Sequence, residues 1–288
     1  MIDYIQLGGT LFIPATHKDL KKVVEGDKYR NLKSVVVDCE DSITVNQLED
    51  ALFAIKKLLI NLDKKMCLVF IRPRDAKVLK KILEFESINK IDGFILPKFS
   101  LMNAKEYLKL MSDRYSFMPS IEGEELFNQQ KLLELKEILV PYKEQIIIIR
   151  FGLEDMLREL GMMRGCDESV FDFSSTSFVL GNFIATFKSA GFGVSGGVYH
   201  YFKDNDGYKK DILRDMKEGL FTKTIIHPNQ IAMIDELYKV SEDELKRAKE
   251  ILKSDEAVFN QDGKMAEVVT MSPYAKNILK RAEIYGVN

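Results

Sequence analysis

Three carboxylates crowd together in Asp38-Cys39-Glu40-Asp41, directly behind the aliphatic run Val35-Val36-Val37. Acids this close repel one another and stay ionised together only beside a cation, hydrogen-bond donors or water. Further on, Glu122 follows Met118-Pro119-Ser120-Ile121, and Asp155 closes Arg150-Phe151-Gly152-Leu153-Glu154-Asp155. Two carboxylates on neighbouring strand ends can hold a hard cation such as Mg2+, with Mn2+ the alternative, and such an ion keeps waters or substrate oxygens as its other ligands. Arg72, in Phe70-Ile71-Arg72-Pro73-Arg74-Asp75, presents a planar fork of donors that suits a carboxylate or phosphate. It is the preferred ligand, with Arg74 left open. Lys98, after Leu96-Pro97, is an amine for Schiff-base chemistry if desolvated, but acids nearby favour an ion pair or a supporting contact. His17, in the first strand-helix loop, is within reach of a ligand, and His227, ahead of Pro228, reads as a packing or hydrogen-bonding residue. His200 has a weaker case among Tyr199, Tyr201 and Phe202. Glu124, Glu125 and Glu154 read as surface or capping acids suited to helix starts.

Those residues need elements to hold them. Eight short apolar runs, at 10–14, 34–38, 67–72, 93–97, 116–121, 146–151, 191–195 and 224–227, follow one another, and most end in a charged or polar residue. Helical spacing fills most of the gaps, as at 48–62, 103–111 and 126–139. A strand that returns through a helix re-enters its sheet in the same direction, so the alternation predicts a parallel sheet. Eight such units close into an α/β fold of the (β/α)8 TIM-barrel type, with chemistry at the C-terminal strand ends. After His227 only helical segments remain. The domain reading is therefore a barrel over 1–240 and a C-terminal helical extension over 241–288, with helices at 242–253 and 273–285 and an ordered crossing at 257–271. Ser241 and Glu244 form a capping-box pattern for the first of these helices.

The chain's 288 residues suit one barrel plus an extension, and 46% hydrophobic residues supply a core. A net charge of −2 argues against general nucleic-acid binding. No signal peptide opens the sequence and no apolar run is long enough to span a membrane, so a cytoplasmic protein with a small-molecule partner is expected. Cys39, Cys67 and Cys166 are widely separated and read as buried thiols. The patterns HExxH, GxSxG and GxxxxGK[ST] are missing, which removes the usual signals of zincins, hydrolase elbows and P-loops. Gly191-Phe192-Gly193 and Gly196-Gly197 read as turn formers around the seventh strand.

Taken in order, Leu11-Phe12-Ile13-Pro14-Ala15, Val37-Asp38-Cys39-Glu40-Asp41-Ser42, Ile71-Arg72, Leu96-Pro97-Lys98, Ile121-Glu122, Phe151-Gly152-Leu153-Glu154-Asp155 and Lys223-Thr224-Ile225-Ile226-His227-Pro228 resemble the HpcH/HpaI aldolase and citrate lyase beta-subunit superfamily. The likeness is nearer to its branch of carbon-carbon bond lyases associated with tellurium-resistance-type biosynthetic operons. The resemblance implies Mg2+ on Glu122 and Asp155, Arg72 on a substrate carboxylate or carbonyl oxygen, and Glu40 and Asp41 against metal-bound water. It also implies a homo-oligomer, a trimer or hexamer. No basic cluster of the kind that binds coenzyme A is evident, so a free small carboxylate is expected over a thioester.

The leading expectation is Mg2+-dependent cleavage or formation of a carbon-carbon bond in a small oxo- or hydroxy-carboxylate, through a metal-stabilised enolate. Arg72, Glu40 and Asp41 are its candidate catalytic residues, with Arg72, Lys98 and His17 toward the substrate. Two other readings use the same residues: a non-catalytic barrel serving as a scaffold or binding subunit of a biosynthetic complex, and a metal-free Schiff-base aldolase built on Lys98.

Overall fold

Strand alternation decides which side chains enter a barrel, and here it carries one set of residues from core to rim. The computed structural model describes residues 2–111 and 114–288. Parallel strands Gly9–Pro14 (β1), Ser34–Asp38 (β2), Leu68–Arg72 (β3), Gly93–Leu96 (β4), Ser116–Ile121 (β5), Arg150–Phe151 (β6) and Lys223–Ile225 (β7) hydrogen-bond in the order β6-β5-β4-β3-β2-β1-β7. Val36, Phe70, Ile95, Met118 and Ile148 form one buried cluster with Leu7 and Ile147. Because side chains on a strand repeat every two residues, the next layer toward the strand ends is Asp38, Arg72, Ser120 and Arg150. The apolar floor and the polar rim are thus written on the same face of the same strands.

The eighth position of the barrel is held by single bridges. Val194 bridges Ile149, Gly196 bridges Lys223, and the Ile149 and Ser195 N–H groups donate to Gly193 O and Ile149 O at 2.9 and 3.1 Å. The run expected as a strand at 191–195 therefore closes the ring without forming a strand of its own. Glycine is the cause: it lowers strand propensity, and it is required where a Cβ on Gly196 would collide with Asp215 Oδ2 and come within 3.0 Å of Thr222 O. Gly191, at φ 81°, turns the chain as expected, whereas Gly193, Gly196 and Gly197 serve close approach.

Helices fill the returns. In Leu48–Asn61 (α1), Ala51, Leu52, Ile55, Leu58 and Leu59 are buried, the spacing of one apolar helix face; each buried leucine contributes roughly 2 kcal/mol. The Thr44–Gln47 capping box precedes this helix. Leu153–Glu159 (α2), with Gly152 as its N-cap, follows β6 directly, which fixes Asp155 in the first turn of a helix and not on the strand itself.

The chain divides into two compact units, one ending at Ile231 and the other spanning Ala232–Asn288, so the division falls earlier than the 240/241 boundary read from the sequence. In the second unit, Ser241 caps Glu242–Lys253 (α3) with the expected capping box. The 257–271 crossing is a β-hairpin, Val258–Gln261 against Lys264–Glu267, turned by Asp262 (φ 51°) and Gly263 (φ 79°). Two left-handed residues at an Asp-Gly pair are the signature of a tight type I′ hairpin. The last helix, Val268–Tyr285 (α4), begins five residues ahead of Pro273 and packs on α3 through Ala248, Ile251, Ala275 and Ile278. Among the described residues no helix is long and apolar enough to cross a membrane.

Candidate active site

Asp38 and Arg72 are register partners on β2 and β3, so their side chains enter the barrel side by side. Arg72 Nε and Nη2 donate to Asp38 Oδ1 and Oδ2 at 2.6 and 2.8 Å. Its Nη1 lies 2.9 Å from Glu40 Oε2 and 3.3 Å from Asp41 Oδ2. Burial works to raise the Asp38 carboxyl, but the Arg72 fork outweighs it and holds Asp38 below the ordinary carboxylate range. Glu40 is also buried, and desolvation pushes it up to about 7 against the opposing charge of Arg72 and a hydrogen bond from Lys98.

Lys98 Nζ lies 2.5 Å from Glu40 Oε1 and 3.5 Å from Asp41 Oδ1. Its backbone is left-handed, φ 47°, which turns the side chain back across the strand-two acids. Burial would lower its pKa, but contact with Glu40 raises it. A protonated amine is not a nucleophile, so this geometry speaks against the Schiff-base reading and for an ion pair.

Glu122 follows β5 and Asp155 lies in the first turn of α2, and both line two adjoining cavities of about 600 and 580 Å3. Glu122 is buried and its Oε2 has no hydrogen-bond partner; burial raises its pKa, with the Ser120 hydroxyl and Arg72 opposing. A Cβ on Gly152 would collide with Glu122 Cγ and stand 3.1 Å from Asp155 Oδ2. Glycine at this position is what lets the two acids converge. Asp155 Oδ1 takes a hydrogen bond from Arg158 at 2.6 Å, leaving Oδ2 on the Gly152 side. No cluster of three or more His, Cys, Asp or Glu side chains able to hold a metal occurs among the described residues. An open pair of carboxylates with one unpartnered buried oxygen nevertheless fits Mg2+, which takes few protein ligands and keeps several waters.

Other sequence candidates fall elsewhere. His17 lines neither of these cavities; its Nδ1 accepts the Asp19 N–H at 3.1 Å and so braces its own loop. Arg74 donates to Glu40 O and Ile43 O at 3.1 and 2.8 Å, clamping the loop after β2. His227 stacks on Phe202 with centroids 4.4 Å apart, while His200 lines the larger cavity and meets Glu154 at 3.2 Å. Glu124 is a surface acid paired with Lys131, but Glu125 is buried and accepts the Leu101 N–H at 3.0 Å, so it joins two loops. Of the cysteines only Cys39 is buried; Cys67 is half-buried and Cys166 exposed.

Arg150 is the residue that the sequence reading passed over. It is buried yet lines the larger cavity, and its guanidinium carbon lies 5.3 Å from the Phe12 ring centre, with that of Arg72 at 5.1 Å. Its position two residues beyond buried Ile148 was the available signal.

A parallel barrel with acids and arginines gathered at its strand ends is the build of a TIM-barrel enzyme. The chain matches the family described as C-C_Bond_Lyase of the TIM-Barrel fold over residues 1–287 and belongs to it. Among curated proteins it is similar to the mitochondrial citramalyl-CoA lyase of Homo sapiens, 27% identical over 278 residues that cover 86% of this chain and 76% of the relative. Among solved structures it is similar to a citrate lyase from Burkholderia xenovorans, with TM-score 0.75, 16% identity, and coverage of 98% of this chain and 93% of the other. It is also similar to the CitE protein of Mycobacterium tuberculosis in complex with magnesium, acetoacetate and coenzyme A, with TM-score 0.70, 20% identity, and coverage of 96% and 98%. The two structural likenesses establish the barrel. Family and curated relatives together give the activity class, a carbon-carbon lyase of the citrate lyase beta-like superfamily.

Proposed function

We propose that this lyase cleaves or forms a carbon-carbon bond beside a carbonyl in a small oxo- or hydroxy-carboxylate, with Mg2+, or Mn2+ in its place, on Glu122 and Asp155. The observation that carries the reading is the unpartnered Glu122 Oε2, buried beside the Gly152 backbone that also receives Asp155. When bound, the divalent ion supplies Lewis-acid stabilisation of the negative charge that develops as the bond breaks. Arg72, held rigidly by Asp38, offers its remaining donors to the carboxylate end of the substrate. Glu40, with a pKa near 7 and Lys98 Nζ at 2.5 Å, can take up or release a proton at Oε1 under physiological conditions. Asp41, more than half exposed, flanks that pair at the mouth. Self-association as a trimer or hexamer belongs to the same reading and is checked by sedimentation.

Calorimetric titration of Mg2+ and Mn2+, with and without oxaloacetate, pyruvate or glyoxylate, tests the site. Binding should need both carboxylates and strengthen with an oxo acid; unchanged metal affinity in both Glu122→Ala and Asp155→Ala would sink the assignment. A turnover screen of hydroxy acids then follows, each as free acid and as coenzyme A thioester, because the name of the human relative carries a thioester.

A further inference from the structure

Two guanidinium groups face the larger cavity, and their surroundings differ sharply. Arg72 is matched by Asp38 and Glu40 at 2.9 Å or less, with Asp41 at 3.3 Å. Arg150 has no carboxylate at ion-pair distance among the described residues. Its hydrogen bonds are one from Nη2 to Thr224 Oγ1 at 2.5 Å and a long one from Nη1 to Met118 Sδ at 4.0 Å. Arginine has five N–H donors, so most of this fork is unspent. The residue is buried yet lines the cavity wall, so a ligand in that space is the acceptor within reach of the spare donors. A buried charge without a counter-ion is costly. Burial and the neighbouring Arg72 charge pull Arg150 down to about 9, with Glu122 alone opposing. The Phe12 ring, within 5.3 Å of both guanidinium carbons, softens the repulsion through its π face but supplies no hydrogen-bond acceptor.

We propose that Arg150 is a second anion-recognition residue, which binds the far carboxylate or phosphate-type terminus of a substrate whose oxo-acid end lies at Glu122 and Asp155. The assignment rests on the lyase reading for the position of that oxo-acid end. It divides labour between the two arginines: Arg72 serves the reacting end and is built into the rim, whereas Arg150 counts the charges on the substrate. A monoanion leaves its fork unpaired, and a site with an unpaired buried group discriminates strongly against the ligand that fails to fill it.

Oxaloacetate, 3-phosphonopyruvate and pyruvate share one oxo-acid head and differ at the far end, so they are the probes. Calorimetry on the full chain, with Mg2+ and again in EDTA, reads the preference for the doubly anionic ligands over pyruvate. The wild type should prefer at least one of them by roughly tenfold to a hundredfold, the range expected for a charge-assisted hydrogen bond. Arg150→Met should bring that preference below about twofold while leaving pyruvate affinity and Mg2+ affinity near wild type. If the methionine variant does not fold, Arg150→Lys, which keeps the charge and loses the fork, should still lower the preference severalfold. Preference for oxaloacetate alone assigns a carboxylate and for 3-phosphonopyruvate alone a phosphate-type group. Equal affinity for all three ligands in the wild type, or a preference that survives both substitutions, overturns the proposal. The two readings fail separately: an arginine-dependent preference with no effect of Mg2+ on any ligand removes the lyase site and keeps Arg150, and Mg2+-strengthened binding without a preference does the reverse.

Discussion

Arg72 and Asp38 meet as a two-pronged ion pair between adjacent strands, Nε to Oδ1 at 2.6 Å and Nη2 to Oδ2 at 2.8 Å, with Asp38 almost wholly buried. Removing Arg72 leaves a buried Asp38 carboxylate without its counter-ion, and removing Asp38 takes from Arg72 the two bonds that fix its fork. Asp38→Ala should destabilise the protein by about 3–5 kcal/mol, read from urea unfolding. The double substitution Asp38→Ala with Arg72→Met should recover part of that loss, because the orphaned charge is gone. A double variant weaker than the sum of the two singles would show that the pair is not the coupled unit described.

Gly152 permits Glu122 and Asp155 to share one space, since a Cβ there would run into Glu122 Cγ. Gly152→Ala should therefore lower Mg2+ affinity by about tenfold or more, the scale of losses seen when groups supporting metal ligands are disturbed. Its far-ultraviolet spectrum should stay that of the wild type. Metal affinity equal to wild type in a folded Gly152→Ala protein would separate this glycine from the site.

Glu40 gives stability a pH dependence whose sign follows from its raised pKa. A carboxyl that titrates near 7 when folded and near 4.5 when unfolded binds more protons in the folded state across that window. Its contribution is fully present below the unfolded value and is lost as pH rises through about 7. The slope is at most about 1.4 kcal/mol per pH unit. In metal-free protein, Glu40→Gln should flatten the pH profile of the thermal midpoint between 5 and 8; a profile as steep as wild type places the titrating group elsewhere.

The thiols sort by environment. Burial pushes Cys39 up to about 12 and does the same to Cys67, whereas Cys166 is exposed and donates its S–H to Asp204 at 2.8 Å. That contact raises its pKa and slows thiolate chemistry. In native protein, a disulfide reagent should react with one thiol per chain, more slowly than with free cysteine and faster as pH rises. Cys166→Ser should abolish the native reaction.

The barrel was legible because aliphatic runs and helical spacing alternate along the chain, and a strand-helix rhythm admits few topologies. Glu122, Asp155, Arg72 and the Asp38-Cys39-Glu40-Asp41 cluster stood out because charge at the end of an apolar run is uncommon. Arg150 stayed hidden for the opposite reason. Its run, Ile146 to Ile149, reads as buried on both faces, and only the two-residue step from Ile148 shows that the next inward side chain is a cation. Glu125 was misjudged because sequence shows an acid at a helix start but not the Leu101 amide that a different loop brings to it. The tail hairpin had its signal in Asp262-Gly263, flanked by short runs too polar to stand out as strands.

The ring of strands is fastened unevenly. Between β6 and β7 the backbone is joined through the 193–196 segment, and the Arg150–Thr224 side-chain bond spans the same gap. Regions with few ladder hydrogen bonds open at lower free energy than their neighbours. In hydrogen exchange, the Ile149, Ser195 and Gly196 amides should therefore lose protection ahead of those of β2 and β3. A ligand that fills the spare donors of Arg150 would hold that side chain, and with it the Thr224 bond, in place, so occupancy of the cavity would be felt as a change in how tightly the hoop is latched.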